Sequence, residues 1–83
     1  MINDRDAIAQ AQGLYREACE RFKKRPRETV GEVMIAEGLK VAVLFDANAK
    51  LAAAYQVTGE RVVDLDGPEL VKLRAKLTNR KVR

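Results

Sequence analysis

An α+β fold is what this sequence predicts, and three observations carry the prediction. Segment 3–24 repeats its apolar residues at three- and four-residue spacing, which is the period of a helix. Segment 41–65 is the longest apolar run, rich in β-branched residues and interrupted by turn formers. Segment 68–77 returns to helical spacing behind a proline. The expected order is two N-terminal helices, a three-stranded antiparallel meander and a C-terminal helix. Eighty-three residues make a single small domain over 1–83, and residues 78–83 are expected to hang as a flexible basic tail. With 47% hydrophobic residues, 5% aromatics and no Trp, the core has to be built from aliphatic side chains and Ala.

The first helix is expected over Asn3 to Lys24. Ile8, Ala11, Tyr15, Ala18 and Phe22 form its apolar stripe, and Leu14 widens it. Asn3 or Asp4 suits the N-cap, and Asp4 and Asp6 suit the positive end of the helix dipole. Arg21, Lys23, Lys24 and Arg25 crowd the opposite end before Pro26 stops the helix. Gly13 interrupts the pattern, which means either a close helix crossing or local weakness. The small residues Ala7, Ala11 and Ala18 would let another helix approach, so the stripe serves either this chain's own core or a homodimer through the first helix. Cys19 at its edge reads as a small buried apolar residue.

A second, short helix is expected next. Thr29-Val30-Gly31-Glu32 has capping-box spacing, Val30, Val33 and Met34 follow, and Gly38 can close the last turn with Leu39 packing back. The meander then comprises Val41–Phe45, Leu51–Val57 and Arg61–Leu65, joined by DANAK and TGE turns. The alternative for this stretch is an all-α helix-turn-helix domain, since Ala47, Ala49, Ala52, Ala53 and Ala54 are strong helix formers. In that alternative Leu51–Gln56 and Gly59–Leu65 are the two helices. The closing helix begins at Asp66-Gly67-Pro68-Glu69 and carries Leu70, Leu73 and Leu77 on one stripe with Val71 beside it. Lys72, Arg74 and Lys76 lie off that stripe.

Residues 51–67, LAAAYQVTGERVVDLDG, resemble the helix-turn-helix of bacterial repressors. Ala52 stands at the small position, Val57 in the turn, Thr58 at the second cap, and Val62 and Leu65 face inward. Gln56 replaces the usual turn glycine. The reading positions Thr58, Gly59, Glu60, Val63 and Asp64 offer no Arg, Lys, Asn or Gln, and Glu60 and Asp64 would be repelled by phosphates. Two helices ahead of a meander in a small basic chain are also similar to the RelE-like toxin class. That class opens with a strand this sequence lacks, so its activity is not carried over.

The residue inventory narrows the chemistry. There is no His, no Ser and one Cys, which removes zinc sites, Cys–His pairs and Ser-His-Asp triads. The scattered glycines form no phosphate-cradling loop. Thr29, Thr58 and Thr78 read as cap or turn residues, and of Asp46, Asp64 and Asp66 two are explained by a turn and a cap. No enzyme activity, catalytic residue, metal or cofactor is therefore expected, and an enzyme using carboxylates alone ranks last. Nothing near Met1 reads as a signal peptide and no run approaches a membrane span, so no membrane partner is expected. The lone Cys suits a reducing cytoplasm.

Charge carries the functional expectation. The net charge is +4, yet residues 28–71 hold eight acids against three bases, while 72–83 hold six bases and no acid. The run RFKKRPR supplies Arg21, Lys23, Lys24, Arg25 and Arg27, and the C-terminal segment supplies Lys72, Arg74, Lys76, Arg80, Lys81 and Arg83. Together they would contact the phosphates of DNA or RNA without reading bases, in a small nucleic-acid-binding or regulatory module. No exposed aromatic is expected among them for base stacking, since Phe22 is assigned to the helix stripe. The alternative is a protein-interaction module, such as a small inhibitor or adaptor working as a homodimer.

Overall fold

Backbone turns with positive φ decide where the chain folds back. The computed structural model describes residues 1–65 and 67–78. It contains helix α1 (Asp4–Arg21), strands β1 (Val30–Ala36), β2 (Leu39–Phe45), β3 (Leu51–Thr58) and β4 (Arg61–Asp64), and helix α2 (Pro68–Thr78). The four strands form one antiparallel sheet in the order β1-β2-β3-β4. The α+β class stands, with two helices and four strands among the described residues.

The second helix expected after Thr29 is instead β1. Glu37 and Gly38 both have positive φ, 52° and 77°, and Ala36 pairs directly with Leu39 across them. Two consecutive positive φ values define the two-residue hairpin turn that matches strand twist. Gly38 thus closes a hairpin rather than a helix. Val30, Val33 and Ile35 are β-branched and gain more on a pleated surface than in two isolated helical turns. The likeness to the RelE-like class loses its second helix here as well as its opening strand.

The meander expected over 41–65 is present as β2, β3 and β4, which overturns the helix-turn-helix alternative. Gly59, at φ 58°, makes the β3–β4 turn with Glu60. The Ala-rich segment is tolerated as a strand because it lies beneath a helix. Leu44 pairs with Ala53 and Phe45 with Leu51, so Ala52 is an extra, bulged residue, and both Ala52 and Ala53 pack on the α1 side.

The helices cover opposite faces of the sheet. On one face Ala7 and Ala11 of α1 meet Ala42, Leu44, Ala53, Tyr55 and Val62; on the other, Leu73 and Leu77 of α2 meet Val41, Val43, Ala54 and Leu65. Val41, Ala42, Val43 and Leu44 are fully buried, as a continuous apolar run requires when both faces are covered. The α1 stripe is thus occupied by its own sheet, and the homodimer through the first helix loses its surface.

Asn3 caps α1, its side-chain oxygen accepting from the Asp6 amide at 2.8 Å. The helix ends at Arg21, earlier than Lys24. Lys23 adopts φ 54°, its amide donates to Glu20 O at 3.1 Å, and the Lys24 amide reaches back to Cys19 O at 2.7 Å. These two bonds are the Schellman ending, with a lysine in the left-handed position glycine usually takes. At the other end of the chain Thr78 is the last residue of α2. Of the tail expected over 78–83, Thr78 thus belongs to α2 and 79–83 lie outside the described residues, as does the cap expected at Asp66.

Candidate nucleic-acid interface

The connection from α1 to β1 is the basic run, and the fold pins it at both ends. At its start stands the Schellman ending just described. At its finish the Arg27 amide donates to the Tyr15 hydroxyl at 3.4 Å, and Gln12 Nε2 donates to Thr29 O at 3.3 Å. The Arg27 guanidinium donates to Asp46 Oδ2 at 3.1 Å.

Asp46 is held there by its own loop. Its Oδ1 accepts from the Asn48 amide at 2.9 Å and the Lys50 amide at 3.0 Å. Ala49, at φ 60°, completes the three-residue turn between β2 and β3. The Lys50 amide holds the Asp46 carboxyl below the usual aspartate value of 3.8, helped by the Asn48 amide and Arg27 against the opposing effect of burial. Asp46 therefore organises the loop and anchors the arm.

Between its pinned ends the arm presents Arg21, Lys23, Lys24 and Arg25 to solvent, and among the described residues none of them has an ion-pair partner. An open groove of about 660 Å³ runs beside it, floored by Tyr15, Cys19 and Leu51 and edged by Lys24 and Arg25. A second groove, of about 460 Å³, shares Tyr15, Pro26 and Arg27 with the first and is also lined by Arg16. Phe22 is 70% exposed, as the C-cap of α1, instead of lying on the buried stripe. An aromatic face therefore stands among the arm cations. Sequence reasoning missed both Arg16 and Phe22. Arg16 was legible as an off-stripe residue of α1; Phe22 was hidden because helical spacing continues through a position where the helix has already ended.

The second basic cluster is elsewhere. Lys72, Arg74 and Lys76 are exposed on α2, across the sheet from α1. Lys76 pairs with Glu37 at the β1–β2 turn and holds that carboxyl below its usual range. The arm sits by the β2–β3 loop, at the opposite end of the strands. The two described clusters thus differ in face and in end, and the single continuous cationic surface expected from sequence is not formed by them. Arg80, Lys81 and Arg83 lie outside the described residues.

Burial pushes the Tyr55 hydroxyl up, with the charge of Asp64 adding to the effect and Arg74 opposing it. Among the described residues no three His, Cys, Asp or Glu side chains gather as metal ligands, and no helix is long and apolar enough to cross a membrane. Comparison with known proteins returns no matching family model, no similar curated protein and no similar solved structure.

Proposed function

We propose that this protein is a non-enzymatic module that binds the phosphate backbone of single-stranded nucleic acid through the 21–27 arm. One observation carries the reading: four exposed cations, with no ion-pair partner among the described residues, stand on a pinned backbone with an exposed Phe22 among them. Cations supply sequence-independent affinity by releasing counterions, and an aromatic face stacks any base. Lys72, Arg74 and Lys76 fall outside this surface. The free thiol of Cys19 suits action in the cytoplasm.

Fluorescence anisotropy with mixed-sequence single-stranded oligonucleotides tests the proposal. Four arm cations predict a slope of log affinity against log salt of about −3 for a single strand. Replacing Arg21, Lys23, Lys24 and Arg25 by Gln should abolish binding, while Lys72→Gln with Lys76→Gln leaves it intact. Phe22→Ala should weaken binding by about 1–3 kcal/mol at an unchanged salt slope. Absence of binding at low salt would overturn the reading. A protein partner is then the next candidate, favoured by the exposed apolar residues of β1.

A further inference from the structure

The sheet has two outer edges, and the fold treats them differently. The β4 edge is four residues long, and α1 reaches it through Gln10. The side-chain amide of Gln10 accepts from the Val62 amide at 3.1 Å and donates to Glu60 O at 3.4 Å. These are the bonds a neighbouring strand would make, so Gln10 plugs that edge.

The β1 edge is seven residues long and carries neither Lys nor Pro. None of its residues is buried; Val30 is 75% and Ile35 70% exposed. Its hydrogen-bonding pattern follows from the turn. In a two-residue hairpin the flanking pair, Ala36 and Leu39, is hydrogen-bonded, and bonded pairs then alternate along the ladder. Ala36, Met34, Glu32 and Val30 therefore direct their backbone groups to β2. Gly31, Val33 and Ile35 direct theirs outward. The β4 edge obeys the same rule, since Val62 lies one residue from its own turn pair and its amide faces Gln10.

We propose that the β1 edge is a homodimer interface, in which β1 of a second copy pairs antiparallel about a two-fold axis through Val33. This register sets Val33 against the partner's Val33 and Gly31 against the partner's Ile35, so every outward group of both strands is paired. Sliding the partner two residues either way leaves one outward residue of each strand unpaired. One of those slides also sets Glu32 directly against the partner's Glu32, which like charges disfavour. In the two-fold register Glu32 lies opposite the partner's Met34 instead.

The side chains fit the same register. A Cβ at position 31 would lie 2.5 Å from Ile8 Cγ2, so the Ile8 side chain rests directly on Gly31. The exposed Ile35 of one copy lands beside that apolar spot of the other and leaves water. Pairing also closes the assembly: the edges left over are the two β4 edges, both plugged by Gln10, so growth stops at two copies.

Sedimentation equilibrium of the full chain, with residue-resolved hydrogen exchange, tests this. The expected result is a dimer in which the Gly31, Val33 and Ile35 amides are protected as well as the inward amides of β1. Val33→Pro removes an amide that points away from β2, and Ile35→Lys places a charge on an already exposed position. Each should raise the dimer dissociation constant at least about a hundredfold, with an unchanged circular dichroism spectrum. Gln10→Ala should leave the β1 pairing intact. A monomer up to about 1 mM, freely exchanging outward amides, or a dimer indifferent to both substitutions overturns the proposal.

Discussion

Two glycines show how the same residue type does opposite work at single positions. Gly13 lies exposed in α1 and nothing stands within 4 Å of where its Cβ would be, so no element crosses there. Its backbone entropy is an unrelieved cost, and Gly13→Ala should raise stability by about 0.5–1 kcal/mol in urea unfolding. Gly31 is the close approach that Gly13 is not. Ala there must displace Ile8, with Leu44 Cδ2 only 3.1 Å away, and should lower stability by about 1–3 kcal/mol in the same measurement. Asp46 supplies a pH dependence. Its folded carboxyl titrates below 3.8, so its charge contributes stability that is fully present above that value and is lost as pH falls through the folded one. Asp46→Asn should therefore melt below the wild type at neutral pH, and the two melting curves should converge on acidification below pH 4. A difference that stays constant down to pH 2 would remove the charge from the account.

At the scale of elements, what could be read from the sequence depended on whether local chemistry had one solution. α1, the three strands of 41–65 and α2 were legible because period, turn residues and proline agreed. β1 was not, because Thr29 and Glu32 have capping-box spacing and Gly38 ends a helix as readily as it turns a hairpin. The deciding partner is β2, paired along the whole of β1, and no window of 29–38 alone contains that information. The burial of both sheet faces was written in the unbroken run Val41–Phe45, which a half-exposed strand would have interrupted with polar residues. The arm was found from its charge, but its shape was not. Tyr15 and Asp46 hold it from 12 and 19 residues away, and charge patterning is blind to such contacts. The failure at α2 has the same origin: sequence counts cations but does not assign them to a face.

At the scale of the whole molecule, the arm and the open edge are neighbours, because the arm leads directly into β1 at Val30. In the proposed dimer a two-fold axis normal to the sheet would keep both α1 helices on one face and place the two arms at opposite ends of the β1 seam. The seven-residue strand separates them by about 20 Å. On the proposed function, a nucleic acid that spans this distance would engage both arms, and the second contact would become intramolecular, with gains of about a hundredfold or more. A strand too short to bridge engages one. Val33→Pro should thus leave the affinity for a short oligonucleotide unchanged and weaken the affinity for a long one at least about tenfold. The salt slope for the long strand should be about twice that for the short one in the wild type, and equal to it in the variant. Equal losses at both lengths would mean that the substitution damages the arm itself. No loss at either length would mean that one arm acts alone, whatever the state of the edge.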